Sequence, residues 1–226
     1  MKLDRRFFFL IAFFTLVMLA CQTLVPSGDS AAPPVDQASQ PQAEVLYEDD
    51  FSDPSSGWDD VEDTDGITGY RDGAYRILIK ITDWYFWSTP GVNFSDVVVD
   101  VDATKNGGPD NNEYGVICRY LDENNFYIFS ISSDGYYGIS KFSNGEQSGV
   151  GMEDMQLNDT VIKTGNSSNH VRAKCIGQNL SLEVNGNLLV DVTASDFTSG
   201  DVGVIASTFE ESGVDILFDN FVVTKP

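Results

Sequence analysis

Four aromatic side chains stand in a row at Trp84-Tyr85-Phe86-Trp87, closed by Ser88, in a chain otherwise rich in Asp, Gly and Ser. Such a row either fills a core or offers flat apolar faces on which a sugar ring can stack. Burying roughly 200 Å² of aromatic surface at about 25 cal/mol/Å² is worth about 5 kcal/mol before entropy, more than a stacked sugar returns. At least two of the four are therefore expected to be structural. Upstream, Tyr75, Ile77, Ile79 and Ile81 alternate with Arg76, Lys80 and Thr82. If that phase runs on, Tyr85 and Trp87 enter the core and Trp84 and Phe86 become the candidate ligand contacts. A bend at Thr82-Asp83 reverses the assignment.

Arg119 is the second candidate. In "VICRYLDENNFYIFSISSDGYY" the phase that turns Val116 and Cys118 inward turns Ile117 and Arg119 outward, beside Phe126, Ile128, Ser130, Ser132 and Tyr136. A guanidinium among aromatic rings and hydroxyls can hold sugar hydroxyls or a carboxylate in fixed geometry. A cross-strand ion pair is the plainer alternative. Candidate acids for hydrolysis are fewer. Cleaving a glycosidic bond takes two carboxyl groups about 5–9.5 Å apart, and the nearest pair is Asp100 and Asp102, on the solvent face if Val97, Val99 and Val101 point in. Glu210-Glu211 reads as a loop. His170, the only histidine, is in phase with Arg172 and Lys174 and is expected to be exposed rather than a general base. "VEDTDG", residues 61–66, has the spacing of half a calcium loop but carries Val61 where the first ligand belongs.

The elements that must position these residues are strands. No useful helical periodicity follows residue 45. Alternation and turn signals predict strands over 45–51, 73–81, 84–88, 95–104, 114–121, 126–132, 136–142, 170–176, 180–184, 187–192, 201–208 and 214–224. Asn185-Gly186 predicts a tight hairpin. Twelve strands with one apolar face each imply an all-β, two-sheet antiparallel β-sandwich. A four-residue loop over 122–125 would pair Tyr120 with Tyr127, Cys118 with Phe129 and Val116 with Ile131. A three-residue loop Ser133-Asp134-Gly135 then pairs Phe129 with Ile139 and Ile131 with Tyr137.

The N-terminus sets the address. Lys2, Arg5 and Arg6 precede an apolar run that stops at Cys21, too short for a lasting span and read as a signal peptide, residues 1–20. Leu19-Ala20-Cys21 resembles a bacterial lipobox, which predicts lipidation of Cys21 and a membrane anchor at the extracytoplasmic face or cell surface. Residues 21–44, rich in proline and poor in apolar residues, read as a disordered linker, leaving 45–226 as one folded domain. The chain holds 35 Asp and Glu against 13 Lys and Arg, a formal charge of −22. The signal peptide itself carries +2 (Lys2, Arg5 and Arg6 against Asp4), so its removal leaves −24. Such a surface repels phosphate backbones, which argues against nucleic acid and leaves glycans and divalent cations as partners. Cys118 and Cys175 form an even pair in an exported domain and both fall on inward phases. A disulfide is expected, with two buried thiols as the alternative.

"YGVICRYLDENNFYIFSISSDGYYGISKF", "VRAKCIGQNLSLEVNGNLLVDV", "FTSGDVGVIASTF" and "VDILFDNFVV", with the opening "LYEDDFSDPSSGW", resemble the laminin-G-like and concanavalin A-like lectin and glucanase jelly rolls of bacterial surface lipoproteins. The resemblance covers about residues 45–225 and implies a jelly roll; it says little about activity, because the superfamily holds lectins, glycosidases and adhesion modules. It also implies that Asp50 and Asp219 lie on neighbouring strands, a candidate structural calcium site. The Glu-x-Asp-x-Glu-like strand of the related glucanases is missing. The expected function is a non-catalytic carbohydrate-binding domain using Arg119, Tyr136, Phe126, Trp84 and Phe86. The alternatives are a glycoside hydrolase working through Asp100 or Asp102 and a protein-binding adhesion or spacer module.

Overall fold

The structure, a computed structural model, describes residues 43–226. The expected signal peptide, Cys21 and nearly all of the expected linker lie outside the described residues. Within them the chain forms strands β1 (Val45–Asp49), β2 (Val61–Glu62), β3 (Gly66–Arg71), β4 (Ala74–Ile79), β5 (Trp84–Ser88), β6 (Val97–Gly107), β7 (Asn112–Asp122) and β8 (Asn125–Ile131). There follow β9 (Tyr136–Ser143), β10 (Glu146–Gly149), β11 (Gln156–Leu157), β12 (Ser168–Ile176), β13 (Asn179–Val184), β14 (Asn187–Thr193), β15 (Asp201–Thr208) and β16 (Val214–Thr224). One sheet runs β14-β13-β12-β6-β16-β4-β3-β2 with β1 also on β16, and the other runs β10-β9-β8-β7-β15-β5 with β11 also on β9. Every pairing is antiparallel. The expected two-sheet sandwich is the observed fold.

Alternation explains the packing. Tyr75, Ile77 and Ile79 of β4, Val97, Val99, Val101 and Ala103 of β6, and Tyr114, Val116 and Cys118 of β7 all lie in the common core. The seven-stranded sheet is unusual in being apolar on its other face too, where Ile117, Phe126, Ile128 and Ile205 form a second buried cluster under Tyr85, Trp87, Tyr120 and Phe142. Cys118 and Cys175 are joined in a disulfide that closes a loop of 57 residues and ties β7 of one sheet to β12 of the other. A loop of that length constrains the unfolded chain by roughly 4 kcal/mol.

Two hairpins turn on Asn-Gly pairs with both residues at positive φ, Asn144-Gly145 (54° and 82°) and Asn185-Gly186 (50° and 78°). That is the backbone a two-residue hairpin requires. The second was expected, and so was the register Phe129 with Ile139 and Ile131 with Tyr137. The β7–β8 register was not. Asp122 pairs with Asn125 across a two-residue turn, and Cys118, Val116 and Tyr114 pair with Tyr127, Phe129 and Ile131. The Asp122 carboxylate accepts from the backbone N–H of Asn124 at 2.9 Å and from the Asn125 amide at 2.8 Å, which tightens the turn. Residues 119–121 then oppose Phe126 alone, and the extra length is taken up in a bulge.

The bulge corrects the placement of Arg119. Its φ is +55°, and its guanidinium is 1% exposed. The left-handed residue breaks the two-residue period, so the side chain leaves the outward series and lodges at one end of the sandwich. There Nε donates to the carbonyl of Ser95 at 3.2 Å, Nη1 to that of Phe197 at 2.9 Å and Nη2 to that of Gly177 at 2.8 Å. Asp96 supplies a carboxylate at 3.4 Å. Burial draws the pKa of this guanidinium down and Asp96 partly restores it. Arg119 is a clamp on three chain segments, with no access to a ligand.

At the far edge, β1 lies on β16, Val45 facing Thr224, and the N–H of Lys225 donates to the carbonyl of Glu44 at 2.9 Å.

Candidate functional site

The aromatic row forms β5, the edge strand of the seven-stranded sheet. Asp83 immediately before it has φ +52°, and this bend reverses the phase inherited from β4. Phe86 packs on the main core, while Tyr85 and Trp87 lie on the opposite, outer face. Trp84 is 54% exposed. Of the two rings expected outside, Trp84 is exposed, and Phe86 is half-buried, packed on the core on one side while it lines the groove with Trp84.

On the outer face the rings make one continuous wall. Trp87 lies 5.8 Å from Phe126, Phe126 stacks on Phe142 at 5.0 Å, Tyr120 lies 5.3 Å from Phe126, and Tyr85 meets Phe142 edge-on at 5.5 Å. Phe126 is fully buried beneath the others and supports the wall without reaching a ligand. Along it runs a groove of about 830 Å³, whose lining includes Trp84, Tyr85, Trp87, Phe142 and Gln147. Gln147 arrives there through the Asn144-Gly145 turn. Tyr136, another expected contact, is 39% exposed but pairs with Leu157 and lines neither this groove nor the cavity beside it.

The adjoining cavity, about 290 Å³, shares Tyr85 and Gln147 with the groove. The Tyr85 hydroxyl donates to Gln147 Oε1 at 2.6 Å, so this pair is the partition between the two spaces. Behind it lies Glu113, 5% exposed. Ser130 donates to its Oε1 at 2.6 Å, and the Tyr85 oxygen is 3.4 Å from Oε2. Burial pushes the Glu113 carboxyl up, with the hydrogen bonds of Ser130, Tyr85 and Gln147 opposing. Ser207 lies in the ladder opposite Tyr85 on β5 and opposite Glu113 on β7. Its Oγ is buried and has no partner. Residues 150–155 close the cavity from the side: a Cβ on Gly149 would come within 2.0 Å of the Met152 carbonyl oxygen, and one on Gly138 within 3.3 Å of Met155.

The remaining candidates are engaged in local contacts. Asp100 and Asp102 are on the outer face of the nine-stranded sheet and line neither the groove nor the cavity. Asp102 meets His170 Nδ1 at 2.8 Å, and Asp100 meets His170 Nε2 at 3.0 Å and Arg172 Nε at 2.6 Å. Asn220 donates to the other oxygen of Asp102 at 3.0 Å. These carboxylates belong to a hydrogen-bonded ladder with His170, Arg172 and Asn220. Asp63 in the 61–66 segment lines the groove but accepts from the N–H groups of Asp65 and Gly66 at 2.8 and 3.0 Å, a turn closed on itself. Asp50 accepts from Ser52 N–H at 3.0 Å and Asp219 from Asn220 N–H at 2.7 Å, and they share no partner. Among the described residues no group of three or more His, Cys, Asp or Glu is placed to hold a metal ion.

No protein-family profile matches the chain, and no curated protein does. Solved structures do. The carbohydrate binding module CBM66 from Bacillus subtilis superposes with a TM-score of 0.59 at 19% identity, over 75% of this chain and 96% of that one. A protein of galectin-like fold from Bacillus subtilis gives 0.61 at 12% identity, over 80% and 96%. A GH43 protein from Bacillus licheniformis gives 0.58 at 14% identity, over 79% of this chain but 39% of that one. At these identities the likeness establishes the jelly-roll β-sandwich fold.

Proposed function

We propose that this is a non-catalytic carbohydrate-binding domain that lays a glycan in the groove over β5, held on an extracytoplasmic membrane surface through lipidated Cys21. The observation that carries the reading is the aromatic wall of Tyr85, Trp87 and Phe142 beside a cavity of hydroxyl, amide and carboxyl groups. Flat apolar faces take the C–H side of a sugar ring and the polar cavity takes its hydroxyls, the mixture expected of a small-molecule site. The fold shared with CBM66 is consistent with this use. Hydrolysis finds less support, since the Glu113 carboxyl is closed in by the hydroxyls of Ser130 and Tyr85.

The test is affinity measurement across a polysaccharide and oligosaccharide panel. Trp84→Ala and Trp87→Ala are each expected to weaken binding about tenfold, the equivalent of about 1.4 kcal/mol of lost stacking. No release of reducing sugar is expected. Variants that bind as well as the parent would overturn the site, and turnover of any bound glycan would overturn the non-catalytic reading.

A further inference from the structure

Glu113 poses a question that stacking does not answer. A carboxyl this deeply buried is ordinarily paired with a cation or a metal, yet none of the ion pairs among the described residues includes it. Its partners are the hydroxyls of Ser130 and Tyr85. Beside it stands the orphan hydroxyl of Ser207. Neither the groove nor the cavity is lined by any Lys, Arg or His, whereas Asp63, Asp83, Glu123, Glu153 and Asp154 line them together with Glu113.

Resting on the carbohydrate reading above, we infer that the glycan carries a free amine, and that its ammonium group enters the cavity beside Glu113. A primary ammonium has three donors and no acceptor. The cavity supplies acceptors in the Glu113 carboxylate and in Gln147 Oε1, the latter freed when Tyr85 and Gln147 part. The aromatic wall adds faces against which a cation is favourable. An entering ammonium offsets the burial that disfavours the charged carboxyl and so stabilises the ionised form of Glu113 as the pair forms. Uronates, sulfated sugars and sialylated chains are disfavoured by the same field.

The experiment uses the full chain and a glycan panel in which each linkage is represented three ways at one sugar position: free amine, N-acetylated amine and hydroxyl. Titration calorimetry is run at a pH where the amine is charged. The amine form is expected to bind at least tenfold tighter than the hydroxyl form of the same linkage. Glu113→Gln, which keeps the shape and loses the charge, is expected to bring that ratio close to one. Equal or tighter binding of the hydroxyl or acetylated form by the parent overturns the amine assignment and leaves the carbohydrate reading standing. Failure of every form to bind overturns both. A parent that prefers the amine, with a folded Glu113→Gln variant that keeps the same ratio, overturns the role of Glu113. The preference of the parent is measured without any mutation, so a variant that fails to fold does not remove the test.

Discussion

Replacing Arg119 by Met keeps a long flexible side chain of similar reach and removes every donor. The carbonyls of Ser95, Phe197 and Gly177 would then be left without their present partner. An unsatisfied buried polar group costs about 1–3 kcal/mol, so three carbonyls give a loss of about 3–9 kcal/mol. Some of this returns because no charge needs desolvating, and water can reach part of the end of the sandwich, which places the expectation near 3–5 kcal/mol. For a domain of this size, 1 kcal/mol moves Tm by about 2–4 °C, so a drop of roughly 6–20 °C is expected. Thermal unfolding followed by circular dichroism measures it, with glycan affinity measured in parallel well below the transition. Affinity is expected to stay within twofold of the parent, because the guanidinium does not reach the groove. An unchanged Tm together with lost affinity would refute the clamp and restore Arg119 to the binding surface.

Reducing the Cys118–Cys175 bond is expected to lower stability by roughly 4 kcal/mol, read as a shifted denaturant midpoint, and an unmoved midpoint would contradict the cross-sheet tie. Burial raises the Glu113 carboxyl in the folded state, so folding binds a proton that the unfolded chain has released above its ordinary pKa of about 4.3. Stability therefore falls as pH rises from that value through the folded pKa, and is level beyond it. Glu113→Gln removes the term: the Tm difference, variant minus parent, should grow over that interval and be flat on the acid side, and a difference independent of pH would count against the buried acid. Adding calcium, or a chelator, is expected to leave Tm unchanged because Asp50 and Asp219 are each engaged locally; a calcium-dependent rise would mean that these loops reorganise around the ion.

Alternation made most of the sandwich legible. The bounds of β5, β15 and β16 match their sequence reading residue for residue, because Gly, Pro or Asp residues stand near their ends. β3 was missed since Gly66 and Gly69 interrupt its pattern, although Asp72-Gly73 after it is a hairpin signal. β10 was missed because Glu-Gln-Ser-Gly has no apolar phase, although Asn144-Gly145 announces it. The site was harder to read, because two left-handed residues decide it. Asp83 reverses the aromatic row and Arg119 leaves the outward series, and period counting sees neither. Glu113 and Ser207 were within reach. Extending the outward phase of Ile117 back by four residues arrives at Glu113, and the phase of Ile205 runs on to Ser207. An acid and a hydroxyl on an otherwise apolar outer face were the available signal.

The meeting of Glu44 with Lys225 at the β1–β16 edge has an engineering consequence. A folded unit whose two ends emerge side by side can be spliced into a surface turn of an unrelated host with short spacers, since the gap left in the host is narrow. The groove is lined from β5, β9, the β9–β10 hairpin and the β2–β3 hairpin rather than from β1 or β16, so such a graft would leave it clear of both junctions.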